Sequence, residues 1–341
     1  MEPTVKAVII GDPHFRIDNM EEVDMFIERI TLLVKKEKPA FVVCLGDLLH
    51  THERLHTTVL NKAYEFVKKI SSEFKMFVLV GNHDYIQNQQ FLTQNHWMNG
   101  MKEWYNVVIV DTVIQYTTRN CKFVFVPYVP NGRFGDALDT TVDWQDATCI
   151  FAHQEFYGCK MGAIVSVDGD KWSTENPPVI SGHIHSKQRP QTNIYYPGAS
   201  IQTAFGESED NTISVVSFKR NNRDYTSDEV DIGLPKKKIV YTDLETVETM
   251  TKVDKNIKLS VKGSDYNEFK AFKKTEKYKQ LVGMGAKITF KLNQPQPQSY
   301  EKAQPQVDIN FKQILYDIIS GDNGLMEVYE LVVNKTEVIL L

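Results

Sequence analysis

Three apolar runs early in the chain end alike, and that repetition restricts the fold more than any other feature. Lys6–Ile10 closes on Gly11-Asp12, Phe41–Leu45 on Gly46-Asp47, and Met76–Val80 on Gly81-Asn82-His83-Asp84. The segments between them have helical period. Val23, Phe26, Ile27, Ile30, Leu33 and Val34 mark a predicted helix over Glu21–Lys36; Leu60, Tyr64, Val67 and Ile70 mark another over Thr57–Phe74. The order is β-α-β-α-β, which calls for a sheet with helices on its faces. In open α/β sheets the ligand crevice lies outside the carboxyl ends of the strands. Each run delivers a glycine and a polar residue to that edge.

Further short runs follow at Val107–Val110, Phe123–Val126, Thr148–Ala152, Val179–Ile180 and Ile213–Phe218. Their spacing predicts a second sheet packed on the first. From about Lys236 the texture changes: Ile257, Leu259 and Val261 alternate, Asp265–Gln280 is Lys-rich and helical in pattern, and Ile288, Phe290 and Leu292 alternate again. That reads as a small β-α-β unit. The Pro/Gln-rich stretch 293–306 reads as a linker. Beyond it, Phe311, Ile314, Leu315, Ile318 and Ile319 recur with helical spacing, and a second helix is expected through Leu325, Val328, Tyr329 and Val332. Such a helix pair cannot bury its apolar face alone. It folds back on the body or binds a partner, and the partner is the favoured expectation.

Composition narrows the class. A chain of 341 residues, 42% hydrophobic and 24% charged, is an ordinary globular protein of two or three units. The start, MEPTVKAVIIGD, has too short an apolar run for a signal peptide. No run reaches the roughly 20 apolar residues that span a bilayer. Cys44, Cys121, Cys149 and Cys159 show no CxxC spacing. Cys44 and Cys149 read as buried hydrophobes and Cys159 as more exposed. A reducing, intracellular setting is expected, with no membrane partner. Charge is uneven: Pro235–Gln304 holds fifteen lysines and eight acidic residues, a net of +7 that leaves −12 on the remainder of a chain totalling −5. A basic block on an acidic body suits either a phosphate-facing surface or a solvated lysine-rich helix.

The remaining polar clusters decide the chemistry. Ser181-Gly182-His183-Ile184-His185 ends a β-branched run with two histidines two apart. In extended backbone both would share a face, either as paired metal ligands or as two surface histidines at a strand end. His153 follows the Thr148–Ala152 run. With Asp12, His14, Asp47, Asn82 and His83 these make five clusters, each expected at a strand end. Carboxylates, an amide and imidazoles without a thiolate suit Mn²⁺, Mg²⁺, Fe²⁺ or Zn²⁺ rather than a structural cysteine-zinc site. Two ions sharing one carboxylate make a clamp for phosphoryl transfer.

These motifs, D-x-H, GD, GNHD, H and GHxH in this order, resemble the calcineurin-like metallophosphoesterase superfamily over at least residues 5–218. The resemblance implies an α/β (α+β) fold: a two-sheet sandwich flanked by helices over residues 1–235. It also implies a small β-α-β capping domain over 236–292, a linker at 293–306 and a helical partner-binding segment at 307–341. It implies two divalent ions, with Mn²⁺ the first choice. Asp12, His14 and His185 would hold one ion and Asn82, His153 and His183 the other, with Asp47 bridging. His83 would not ligate; it would protonate the leaving oxygen or stabilise its charge.

Local residues narrow the substrate. Gly46-Asp47-Leu48-Leu49-His50 and the stretch 195–207, YYPGASIQTAFGE, look like the nuclease subunit of SbcCD/MRN-type double-strand-break repair complexes, and His153-Gln154 matches its HQ. The compact length is similar to the T-even-phage recombination endonuclease subunit. This resemblance implies DNA as substrate and His50 as a second catalytic residue on the phosphate backbone. It also implies an SMC-like ATPase coiled coil as partner of the C-terminal helices, and a homodimer. The location expected is a bacterial host's cytoplasm for a phage protein, and cytoplasm or nucleus otherwise. His52 and His56 read as loop residues near the site rather than ligands, and Phe205 and Glu207 as packing or orienting the GHxH loop. Pro13 departs from the family's usual Trp or Leu. It removes one backbone N–H and stiffens the loop. A small-molecule phosphodiesterase or phosphatase shares every ligand, and a metal-bound scaffold is the non-enzymatic alternative.

Overall fold

Val5, Ala7 and Ile9 of strand β1 (Thr4–Ile10) face one core, and Val8 and Ile10 face another. A strand buried on both faces needs a continuous apolar run rather than an alternating one. The same holds for β2 (Phe41–Cys44) and β3 (Met76–Leu79), which are buried throughout. These strands and β4 (Val107–Val110) run parallel. Helices α1 (Met20–Glu37) and α2 (Thr57–Ser71) cover the outer face through Phe26, Ile30, Phe66 and Ile70. The computed structural model describes residues 4–52, 54–220 and 222–292, and beyond them 315–316, 318–322 and 324–329.

The second sheet is built from β5 (Ile114–Thr118), β6 (Cys121–Phe125), β7 (Cys149–His153), β10 (Val179–Gly182), β11 (Gln188–Gln191) and β12 (Ile194–Tyr196). A hairpin of β8 (Lys160–Met161) and β9 (Ile164–Val165) projects between β7 and β10 in sequence. The chain then returns to the first sheet as β13 (Ile213–Lys219), antiparallel to β1, and β14 (Tyr225–Val230). The inner faces of the two sheets meet over an aromatic layer in which Phe77 stacks on Phe125 at 4.0 Å and Phe41 meets Phe123 at 4.9 Å. The fold is thus a mixed α/β sandwich of two sheets flanked by helices. Helix α3 (Phe134–Leu138) packs on the outer face of the second sheet.

Two strand placements differ from expectation. Val107–Val110 and Ile213–Phe218 were expected in the second sheet, yet both join the first, beside β3 and β1. Apolar spacing identifies a strand but not its neighbour. β13 has Ile213 and Val215 in the helix-covered core and Val216 and Phe218 in the aromatic layer, so it sits inside the sheet. Cys159 is buried rather than exposed, because it packs with Phe134 and Phe156 under the loop after β7.

A third, all-parallel sheet orders β15 (Lys238–Thr242), β16 (Ile257–Gly263) and β17 (Lys287–Leu292). Helix α4 (Leu244–Thr249) joins the first two strands. The single helix expected over Asp265–Gln280 is two, α5 (Tyr266–Phe272) and α6 (Glu276–Gly283). An unbroken helix would carry Leu281 off the face that buries Phe269 and Phe272. The break re-aims it into their shared core, and the Thr275 hydroxyl caps α6 by accepting from the Tyr278 N–H at 3.2 Å.

The chain falls into two compact units, Met1–Leu292 and Asn293–Leu341. In the second, residues 315–316 and 318–319 are helical, as are 324–329, and the rings of Tyr316 and Tyr329 meet at 6.0 Å. The remainder of the expected segment at 307–341, and the expected linker at 293–306, lie outside the described residues. Among the described residues no helix is long and apolar enough to cross a membrane.

Candidate metal centre

Register brings the polar clusters together. Ile10 pairs with Cys44 and Cys44 with Val78, so β1, β2 and β3 end level and their exits carry Asp12, Asp47 and Asn82 to one edge. Gly182 pairs with His153 across β10 and β7. His153 is therefore the last residue of its strand rather than the first after it. Asp12, His14, Asp47 and His183 all have positive φ, at 35, 45, 49 and 78°. Non-glycine residues adopt this region infrequently, Asn, Asp and His more readily than others, and four of the crevice residues do so here.

His183 corrects the expectation of a shared strand face. The strand stops at Gly182, and the left-handed turn sends the two histidines to different partners. His183 Nδ1 lies 2.8 Å from Asn82 Oδ1, and His185 Nε2 lies 2.9 Å from His14 Nε2. Glycine is required where loops touch: a Cβ on Gly81 would stand 2.2 Å from Asp47 Oδ1, and one on Gly182 would stand 2.9 Å from both Asp12 Oδ1 and His153 Nδ1.

All the predicted residues meet in this crevice. Asp47 stands between two groups: its Oδ2 is 3.6 Å from His14 Nε2 and 3.4 Å from His153 Nε2, while its Oδ1 accepts the His83 N–H at 2.8 Å. His153 donates Nδ1–H to the Leu45 carbonyl at 2.7 Å, which leaves Nε2 facing Asn82 Oδ1 at 2.9 Å. Asp12 Oδ1 accepts the His183 N–H at 2.9 Å, but its Oδ2 is buried without a partner. His83 donates Nδ1–H to the His50 carbonyl at 2.7 Å, and His50 Nδ1 is 3.3 Å from His14 Nδ1.

Burial and neighbouring charge together set the protonation states. Burial pushes the Asp12 carboxyl up to about 6 and the His183 imidazole down to about 4. It also lowers His14, His50 and His83, so these rings present lone pairs. At Asp47 burial opposes ionisation, but His153 and His14 hold the carboxylate well below its usual range. At His153 burial is outweighed by Asp47 and Asp12, which raise it to about 9.

An orphaned carboxylate oxygen is unfavourable in a buried site unless a cation or another donor reaches it, and each neutral imidazole around it keeps one ring nitrogen able to ligate. The donors fit divalent ions. Those of Asp47, His153 and His183 lie within 4.8 Å of one another, as do those of His14, His50 and His83. The second group places His50 and His83, expected outside the ligand set, at the rim of the same centre.

Two supporting residues extend the sequence reading. Asp84, the acid closing GNHD, accepts from the Gly81 N–H and Trp97 Nε1–H, both at 3.0 Å, and from the Leu48 and Leu49 N–H groups at 3.4 and 3.3 Å. It ties the Asp47 loop to the Asn82 loop, and its only sequence signal was its place after His83. Glu207 meets His185 Nδ1 at 3.2 Å and is itself held by the Thr203 and Ala204 N–H groups at 3.0 and 2.9 Å. His56 caps α2, accepting from the Thr58 N–H at 3.3 Å.

Solved structures give loose likenesses only. GAP50, the anchor in the inner membrane complex of Plasmodium, aligns with a TM-score of 0.45 and 14% identity over 67% of this chain and 85% of its own. The E. coli phosphoesterase Yfce aligns with a TM-score of 0.32 and 15% identity over 67% of this chain and 100% of its own. Sequence relatives are much nearer. Protein 078R of Invertebrate iridescent virus 3 is 47% identical over 299 residues, 85% of each chain. Protein 244L of Invertebrate iridescent virus 6 is 47% identical over 287 residues, 80% of this chain and 98% of its own. Both are named only as candidate phosphoesterases. The family model for calcineurin-like phosphoesterases matches residues 5–187, and with relatives of that identity along most of its length this chain belongs to that family.

Proposed function

We propose that this metal-dependent phosphoesterase is a DNA nuclease, the catalytic subunit of an ATPase-coupled repair or recombination complex. The observation that carries the reading is the setting of His50, the histidine of Gly46–His50. Its carbonyl takes the His83 Nδ1–H and its own ring borders His14, so it flanks the atoms that would meet a phosphodiester. A cleft of about 750 Å³ at the seam with the third sheet is lined by Arg16, Lys237, Lys255, Lys258 and Lys287 and by Asp18, Glu21 and Glu22; Arg16 pairs with Asp18, Lys237 with Glu22 and Lys255 with Glu21. Lys258 and Lys287 stand outside those ion pairs and give a phosphate backbone two positive charges to meet.

Asp12, His14, Asp47 and His185 would hold one ion, and Asp47, Asn82, His153 and His183 the other. When bound, the ions supply Lewis-acid activation of water and of the phosphoryl oxygens. His83 keeps its Nδ1 proton on the His50 carbonyl, so Nε2 is the atom left to face the leaving oxygen. A phosphodiester anion beside the ring favours its charged form and counters the burial that lowers its pKa. Residues 236–292 would cap the DNA, 293–306 would link, and 307–341 would dock on an SMC-like ATPase coiled coil, with the chain acting as a homodimer.

The test is cleavage of end-labelled linear duplex and hairpin DNA with Mn²⁺, Mg²⁺ or EDTA, beside His83→Ala. Mn²⁺-dependent cleavage that falls by about 10²- to 10⁴-fold in His83→Ala is the expected result. A second reading, a small-molecule phosphodiesterase or phosphatase, fits the viral relatives' names equally well. Turnover of bis-p-nitrophenyl phosphate with no cleavage of any DNA, with or without the ATPase partner, would favour it.

A further inference from the structure

His52 is absorbed by neither the metal set nor the fold. It follows His50 in the loop before α2, is half-buried, and borders a pocket with Arg54, Ile86, Gln87 and Asn88. Its ring lies against that of His83, with centroids 4.5 Å apart and planes 21° from parallel. The His50 ring is also nearly parallel to that of His83, 5.4 Å away at 13°, and His14 meets it edge-on at 5.0 Å.

The hydrogen bonds at His83 leave one freedom open. Its backbone N–H is held by Asp47 Oδ1 and its Nδ1–H by the His50 carbonyl. A single hydrogen bond at Nδ1 fixes one point of the ring and leaves rotation about that bond to be set by packing. Nothing hydrogen-bonds Nε2 among the described contacts of His83, so only neighbouring rings can set its plane. His52 makes that contact while its own Nδ1 is buried without a partner. A nitrogen that holds nothing and is shielded from water is unfavourable. Nδ1 thus contributes no hydrogen bond, and what His52 presents to His83 is its ring face.

We infer that His52 is a positioning residue that holds the His83 imidazole in its working plane by stacking, so that Nε2 stays aimed at the leaving oxygen. The inference rests on the role proposed above for His83. Stacked rings at this spacing stabilise one orientation, and small displacements of a catalytic group cost large factors in rate.

Two variants of the full chain test it, His52→Ala and His52→Phe, with Mn²⁺ and bis-p-nitrophenyl phosphate, and with DNA if DNA is cleaved. His52→Ala is expected to lower kcat about tenfold with KM nearly unchanged, because ground-state binding is untouched. His52→Phe keeps the stack and is expected to restore kcat to within about threefold of wild type. Imidazole ¹⁵N spectra of the metal-free proteins give a readout independent of turnover. The His83 Nδ1–H signal should be sharp in wild type and His52→Phe, and broadened in His52→Ala. Wild-type kcat in His52→Ala overturns the inference. So does a Phe variant as slow as the Ala variant with KM raised, since that would make His52 a substrate contact through its nitrogen. If Ala lowers kcat but leaves the spectrum sharp, the stacking role also fails. A wild-type protein that turns over no phosphoester would instead overturn the functional reading, with the spectra still deciding whether His52 sets the ring.

Discussion

Asp84 accepts four hydrogen bonds, two from the backbone after β2, one from Gly81 and one from the Trp97 indole. It holds the two loops that carry Asp47 and Asn82 at their separation. Asp84→Ala would strand those donors in a buried site, so a loss of roughly 2–4 kcal/mol is expected. Thermal melting reads this directly, and isothermal titration with Mn²⁺ should show affinity weakened by about 10- to 100-fold, as for other groups that orient metal ligands. An unchanged melting temperature would show that the loops hold without it. The residue was visible in the sequence, but its role was not. A carboxylate next to His83 reads as one more donor to the crevice, and only the folded backbone shows Asp84 turned toward the loops' own N–H groups. His183 shows the converse. Its identity as a crevice histidine was legible, while its direction depended on a left-handed turn that no period-2 argument contains.

At the level of elements, the excursion from Tyr85 to Lys102 is fastened to the first sheet by one ion cluster. Asp111, just past β4, takes hydrogen bonds on Oδ2 from His96 Nε2 at 3.1 Å and Lys102 Nζ at 2.6 Å. Burial opposes the Asp111 carboxylate, but these two donors outweigh it and hold its pKa below the ordinary value. A depressed folded-state pKa contributes stability that is full above the unfolded value of about 4 and is lost as pH falls through the folded value. Asp111→Asn is therefore expected to lower stability by roughly 1–3 kcal/mol at pH 7. The gap in melting temperature between wild type and variant should stay open at neutral pH and close below pH about 4. A gap that is constant down to pH 3 would rule out the carboxylate as the fastener. None of this was legible beforehand, because His96, Lys102 and Asp111 belong to no motif. By contrast, the helix over Glu21–Lys36 was legible almost to the residue, since its apolar stripe alone accounts for the face that α1 buries.

For the whole molecule, the two-sheet sandwich creates the site by forcing unlike loops to one edge, and it leaves Asp12 Oδ2 buried without a partner there. A protein of this kind is expected to be less stable without its ions. Mn²⁺ at a hundredfold excess over its Kd would add about 2.7 kcal/mol. Differential scanning fluorimetry should show the melting temperature falling in EDTA and recovering when excess Mn²⁺ is added back. Identical melts with and without chelator, in protein verified to be loaded at the start, would contradict ion binding at these residues.

By itself the sequence determined the opening β-α-β-α-β order, the type of the elements with a clear apolar period and the identity of the residues that meet in the crevice. These depend on side-chain period and on residue chemistry, which are local. The tertiary structure alone decided which sheet β4 and β13 join, where the helix of the third sheet breaks, which way His183 turns and what Asp84 and His52 touch. Those outcomes depend on contacts between residues far apart in the chain, where the best burial of Val216, Phe218 and Leu281 and the closest approach of Gly81 to Asp47 are settled only when all the elements are in place.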